Sequence, residues 1–137
     1  MILSKTSEYA VRILTFMAAN NKERYSAKFL YEQLNIPYKY LTKLMTDLAK
    51  QGCVTSLQGR DGGFVISRDI NKISVADIVE AVEGRNRFDG CVLGFDECSD
   101  ENPCAMHQFW EENKRNIIYM LEHTTLGSLT KKSIFKF

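Results

Sequence analysis

Three amphipathic helical stretches within the first 51 residues, a glycine-tipped pair of short apolar strands after them, and two further helical patterns predict a mainly α chain with a small β-hairpin. At 137 residues the chain is one domain's worth with room for a short extension. The first helix rests on Ala10, Ile13, Leu14, Met17 and Ala18, which recur at i, i+3, i+4, i+7 and i+8 and form one apolar stripe. Ser4 and Thr6 are its candidate N-caps, and Asn20-Asn21 ends it with turn chemistry.

The second helix starts at Ser26, a good N-cap, with Tyr25 and Leu30 spaced as a hydrophobic staple. Phe29, Leu30 and Leu34 face inward. Asn35-Ile36-Pro37 breaks the chain, and the proline suits the first turn of a new helix, where its missing N–H costs nothing. The third helix runs from about Tyr38 to Gln51 and buries Leu41, Leu44, Met45 and Leu48, with Gly52 as its stop. Residues 53–57 and 64–67 read as two strands, and the intervening Gly59, Gly62 and Gly63 permit a tight hairpin tipped by Arg60.

Ser74 and Asp77 have capping-box spacing, and Ile73 and Ile78 a second staple, so a fourth helix begins there and ends at Glu83-Gly84. From Arg85 to Pro103 there is no useful periodicity, which predicts a functional or disordered loop. A last helix from about Cys104 to His123 carries Met106, Phe109, Trp110, Ile117, Met120 and Leu121, and 125–129 closes it. The basic, aromatic tail from Lys131 onward is expected to be poorly ordered.

Two helices across a short turn, followed by a glycine-tipped hairpin, make a winged helix-turn-helix. The expected division is a DNA-binding domain over 1–83, a cysteine-bearing sensor loop over 84–103, a helix over 104–130 and a tail over 131–137. Charge follows this division. The overall +1 conceals +5 on residues 1–72 and −4 on residues 73–137, so the first half is the one suited to a polyanion. The third helix is expected in the major groove. Tyr38, Lys39, Tyr40, Thr42 and Lys43 are its candidate contacts: Lys and Tyr to phosphates, Thr42 or Lys43 to base edges. Arg60 suits a narrow minor groove. Any helix shows polar residues to water, so the weight rests on three features agreeing: the helical pattern, the basic half and the basic wing.

Cys53 falls in a wing strand and reads as core. Cys91, Cys98, Cys104 and His107 fall within 17 residues, as Cys-x6-Cys-x5-Cys-x2-His. Thiolates are soft ligands that select iron–sulfur clusters, zinc or copper(I). The spacing is neither that of a zinc ribbon nor that of a ferredoxin. His107 lies about one helical turn beyond Cys104 and would share its face. Zinc in the same four ligands, or a thiol–disulfide switch, are the alternatives. Asp96, Glu97, Asp100 and Glu101 surround the cysteines, which would lower a cluster's potential and repel DNA from the loop. His123 complements a helix C-terminus, and Trp110 reads as interface core.

Residues 1–14, Ile36-Pro37-x-x-Tyr40-Leu41, the wing Gly59-Arg60-x-Gly62-Gly63-Phe64, and Ile73-Ser74 through Ala81-Val82-Glu83-Gly84 together resemble the winged-helix repressors that include IscR, NsrR and CymR. The resemblance covers almost the whole chain. It implies a homodimer joined through the long C-terminal helix, bound to a palindromic operator on double-stranded DNA, usually as a repressor. The Cys-x2-His-x2-Trp of Cys104, His107 and Trp110 is most similar to IscR-type members, which implies a [2Fe-2S] cluster on Cys91, Cys98, Cys104 and His107. NsrR-type members imply a cluster on three cysteines and an acidic residue of the partner's first helix, here Glu8 of the partner subunit, and leave [4Fe-4S] open. Redox state, nitric oxide or iron–sulfur status is then the sensed signal.

No nucleotide loop, catalytic triad or Cys-x-x-Cys pair is present, so a small redox enzyme is the remote reading and a non-enzyme the expected one. The N-terminus lacks a signal-peptide pattern and no apolar run reaches a membrane span, which leads to the expectation of a cytoplasmic protein without a membrane partner.

Overall fold

The computed structural model describes residues 2–20 and 22–131. The tail segment 132–137, expected to be poorly ordered, lies outside them. The first helix, α1 (Lys5–Asn20), is capped by Ser4. The Ser4 Oγ accepts from the Ser7 N–H at 3.3 Å, and its carbonyl accepts from the Glu8 N–H at 2.9 Å. Thr6 sits inside the helix. Ala10, Ile13, Leu14 and Met17 are buried, and Ala18 is only half-buried.

Helix α2 (Ala27–Leu34) takes Ser26 as its cap, with the Ser26 Oγ accepting from the Phe29 N–H at 3.0 Å. It ends where Asn35 adopts φ +54, a left-handed position that asparagine tolerates. The fully buried Ile36 then anchors the turn into α3 (Tyr38–Lys50). Pro37 stands at the N-cap, one place before the expected first turn; its carbonyl accepts from the Leu41 N–H at 2.9 Å. Leu41, Leu44, Met45 and Leu48 all point into the core.

The wing is β1 (Val54–Leu57) paired antiparallel with β2 (Gly63–Ile66), Val54 opposite Ile66 and Leu57 opposite Gly63. A third segment joins it unannounced by any periodicity. Tyr25 exchanges both backbone hydrogen bonds with Phe64, at 2.9 and 2.8 Å. One residue of pairing is too short to leave a sequence signature, yet it ties the wing to the start of α2.

A single 3₁₀ turn (Ile70–Lys72) precedes α4 (Val75–Glu83), whose capping box is complete: Asp77 N–H to Ser74 Oγ at 3.0 Å and Ser74 N–H to Asp77 Oδ2 at 2.9 Å. The segment 104–130 is divided, and its main helix, expected from about Cys104 to His123, starts late. It begins at His107, after Pro103 and a turn at Cys104, so Cys104 lies outside it. Helix α5 (His107–Glu122) stops where Thr124 and Thr125 pair with the strand-like entry to α4, and α6 (Leu126–Lys131) follows. The Val75 N–H donates to the Thr124 carbonyl at 2.8 Å, and the Leu126 N–H to the Ile73 carbonyl at 2.9 Å. Leu126 is fully buried with the α1 and α3 residues, and Gly127 lies where a β-carbon would meet Asn71. Burying Leu126 in the domain core outweighs continuing α5 into solvent. Residues 126–131 thus complete the core built by α1 and α3 rather than extend α5.

Helix α5 packs one edge against α4 through Leu121, which is buried with Val75 and Val79. Its other side leaves Phe109, Tyr119 and Met120 half or more exposed. Among the described residues no helix is long and apolar enough to cross a membrane.

Candidate metal centre and nucleic-acid interface

The irregular segment between α4 and α5 folds back on itself and gathers its cysteines. Gly90 and Gly94 take φ of +116 and +82, and the Gly94 N–H closes a turn onto the Cys91 carbonyl at 3.0 Å. The sulfurs of Cys91, Cys98 and Cys104 all lie within 4.8 Å of one another, with 3.6 Å between Cys91 and Cys104. Two thiolates on one tetrahedral metal stand about 3.8 Å apart, given a metal–sulfur distance of about 2.3 Å. The three sulfurs are thus close enough to share one metal, and all four cysteines are free of disulfides.

His107 opens α5 beside this knot. Its N–H donates to the Cys104 carbonyl at 3.1 Å, and its ring presents Nδ1 to Cys98 Sγ at 3.2 Å. Trp110, one turn later, is half-buried, and its indole N–H donates to the Gly90 carbonyl at 2.9 Å, pinning the residue before Cys91 to α5. That anchoring role was not legible in the sequence, where Trp110 read as interface core. Glu8 is paired with Lys5 at 3.1 Å and stands outside the sulfur group of its own chain.

The thiols do not titrate alike. Partial desolvation alone would raise Cys91, but hydrogen bonds from the backbone at Phe95 and Leu93, and from Cys104 and Cys98, bring it down to about 7. Cys98 accepts from the Cys104 N–H at 3.5 Å, which favours its thiolate, yet desolvation and the neighbouring Cys104 and Cys91 sulfurs push it up instead. Cys53 lies far from this chemistry: it is buried under the wing, where desolvation raises its thiol against the pull of Arg68.

On the opposite half of the chain, Tyr38, Lys39 and Lys43 stand out from α3, and Arg60 stands at the wing tip. Lys43 is lightly engaged with Asp47 at 3.1 Å. Thr42 is half-buried, its hydroxyl donating to the Lys39 carbonyl at 2.9 Å. Tyr40 turns back: its ring meets Tyr9 edge-on at 5.5 Å and its hydroxyl pairs with Thr6 on α1. Sequence reasoning missed Lys22 and Arg24, which with Ser26, Phe29 and Asp61 line an open cleft of about 680 Å³ between α2 and the wing. Arg24 donates to the Asp61 carbonyl and so holds the wing tip. Two cations flanking Glu23 just before an N-cap were the available signal.

The sequence profile of the Rrf2 family, described as an iron-dependent transcriptional regulator, matches residues 3–132. A protein of Aquifex aeolicus (strain VF5) named as an HTH-type transcriptional regulator is 34% identical over 131 residues, covering 94% of this chain and 91% of that protein. IscR of Klebsiella pneumoniae (strain 342) is 28% identical over 130 residues, covering 94% and 79%. Among solved structures, CymR, the global cysteine regulator of B. subtilis, superposes with a TM-score of 0.79 at 25% identity, covering 94% and 95%. IscR of T. potens superposes at 0.74 with 28% identity, covering 94% and 85%.

Proposed function

Because the chain belongs to the Rrf2 family of transcriptional regulators, which bind DNA and are not enzymes, we propose that it is a repressor whose grip on a palindromic operator is set by an iron–sulfur cluster in the α4–α5 loop. The observation that carries this reading is the gathering of three sulfurs within 4.8 Å, with the His107 Nδ1 3.2 Å from one of them, Cys98, on a loop tethered to both α4 and α5. Cys91, Cys98, Cys104 and His107 would hold the cluster, with [2Fe-2S] the nuclearity proposed from the IscR relatives and Glu8 of the partner subunit the alternative fourth ligand. When bound, such a cluster supplies a centre that changes oxidation state and reacts with oxidants or nitric oxide. Zinc is the second reading, because sulfurs this close already fit around one tetrahedral ion. Anaerobic purification decides between them: equal iron and sulfide with visible absorption supports the cluster, and stoichiometric zinc without sulfide overturns it.

The exposed Phe109, Tyr119 and Met120 on α5 support a homodimer joined along that helix, since a lone exposed helix has no reason to carry them. Such a dimer places two α3 helices and two wings on one duplex, in keeping with a cytoplasmic regulator. Tyr38, Lys39 and Lys43, with Thr42 behind them, serve the major groove; Arg60 serves the minor. Tyr40 acts by orienting α3. Arg60→Ala should weaken operator binding several-fold and lower the slope of log affinity against log salt by about 1. A salt slope unchanged in a titration series would remove Arg60 from the interface.

The loop reaches α3 through the first turn of α1. Arg87, where the loop begins, pairs with Glu83 at 3.3 Å and donates to the Ile2 carbonyl at 3.2 Å. Glu83, at the end of α4, accepts from the buried Ser7 hydroxyl, and the adjacent Thr6 pairs with Tyr40 on α3. Ordering or releasing the loop therefore bears on the helix that meets DNA.

Glu83 also gives this junction a pH signature. Desolvation would raise it, but hydrogen bonds from Ser4 and Ser7 and the Arg87 guanidinium outweigh that and hold it below the ordinary carboxylate value. A depressed folded value means stability that is fully present above the unfolded value and lost as pH falls through the folded one. Glu83→Gln should flatten the acid limb of stability below about pH 4.5 in urea titrations, with the neutral-pH value lowered. An acid limb identical to wild type would contradict this assignment.

A further inference from the structure

His107 is held at both ring nitrogens. Nδ1 faces Cys98 Sγ at 3.2 Å, while Nε2 lies 2.9 Å from Asp100 Oδ1. The ring is only 12% exposed, whereas the Asp100 carboxylate is 97% exposed. A carboxylate near neutral pH only accepts hydrogen bonds, so the proton of a neutral imidazole belongs on Nε2. The lone pair then sits on Nδ1, the nitrogen that faces Cys98. A nitrogen and a thiolate on one tetrahedral metal stand about 3.6 Å apart, given bond lengths of about 2.05 and 2.3 Å, so the Nδ1–Cys98 separation already approaches that of two ligands of one metal. Asp100 lies between Cys98 and Cys104 in sequence, so the same loop that supplies two sulfurs supplies the group behind the imidazole.

We propose that Asp100 is the positioning residue of this centre: it fixes His107 in the Nε2–H tautomer, so that His107 binds metal through Nδ1 beside Cys98. This rests on the ligand set proposed above and adds to it the ligating atom and the group that selects it. Carboxylates behind metal-binding histidines raise ligand basicity and hold ring orientation, and removing one typically weakens metal binding 10- to 100-fold. Here the carboxylate is open to water, which screens it and places the effect near the lower end, about tenfold.

The test is an anaerobic cobalt(II) titration of metal-free full-length protein, read by tetrahedral d–d bands and thiolate charge-transfer absorption. It is run on wild type, Asp100→Ala, Asp100→Glu, His107→Ala and the double variant. Asp100→Ala should bind cobalt about tenfold more weakly with its three-thiolate charge-transfer intensity intact, and Asp100→Glu should regain most of the loss. The double variant should bind no more weakly than His107→Ala alone, because Asp100 acts only through the ring. Asp100→Ala binding at the wild-type level while His107→Ala weakens would overturn the role of Asp100 and leave the ligand set standing. Independent, multiplying losses would also overturn it. His107→Ala with wild-type affinity and d–d bands would instead remove His107 from the ligand set, and the inference with it.

Discussion

Cys104→Ser protein, purified without oxygen, is expected to lose essentially all of its iron and sulfide and its visible absorption, and to bind operator DNA with one affinity whatever its prior treatment. Cys104 is the most interconnected of the four proposed ligands. Its sulfur lies 3.6 Å from Cys91, its N–H donates to Cys98 at 3.5 Å, and its carbonyl receives the His107 N–H at 3.1 Å. Serine keeps the size and the backbone bonds but replaces a soft thiolate with a hard hydroxyl that remains protonated at neutral pH. Fold and dimer should therefore survive, and the response should not. What disappears is the affinity ratio between loaded and metal-free protein, a coupling of about 1–3 kcal/mol, or about 5- to 150-fold, in typical regulated systems. Cys53→Ala is the control: its thiol is buried in the core and stands outside the sulfur group, so metal content should match wild type. If Cys104→Ser retained iron and sulfide at wild-type levels, the ligand set would be wrong.

The second large effect is expected at Gly63→Ala. Gly63 opens β2 at φ +150, a conformation that L side chains rarely adopt, and an added β-carbon would lie 2.8 Å from the Tyr25 carbonyl oxygen. That oxygen accepts the Phe64 N–H and cannot move without breaking the one-residue ladder that seats the wing on α2. Overpacking of about 1–3 kcal/mol and backbone strain of similar size combine to about 2–6 kcal/mol, read as a shift in urea midpoint. DNA affinity should fall further than stability alone explains, because the wing carrying Arg60 is displaced. Gly59→Ala gives the contrast. It has φ +95 but open space around the added carbon, so only strain of about 1–2 kcal/mol applies. Equal stabilities for the two variants would show that the Tyr25 contact does not constrain the wing.

These two sites differ in how far sequence alone reveals them. The cysteine group was legible because a soft-ligand pattern in a glycine-bearing loop has few other uses; the structure gathers the three sulfurs, and sets His107 beside Cys98. The helices were legible wherever burial was periodic: Ile13 and Leu14, or Leu44 and Leu48, occupy the faces their spacing assigned. What escaped depends on contacts distant in sequence. Tyr25 pairs with Phe64 across the wing, Tyr40 turns from the expected DNA face to Thr6, and Trp110 reaches back to Gly90. Each is one side chain or one backbone group meeting a partner 20 or more residues away, and no local period encodes that. That residues 126–131 form a separate helix packed into the core escaped for a related reason. Thr124-Thr125 reads as an ordinary helix end until Ser74 and Ile73 are seen to complete it.

The most direct test of cluster-controlled DNA binding is one anaerobic experiment on one preparation. Purified protein is divided, part is kept loaded and part is stripped of its cluster by chelation, and both are titrated onto the same DNA duplex, selected beforehand for binding to the purified protein. Loaded and stripped protein should differ in affinity by about fivefold or more, with the difference restored on reconstitution with iron and sulfide and absent in Cys104→Ser. Identical binding curves for the two forms, from protein shown to carry iron and sulfide before stripping, would contradict it.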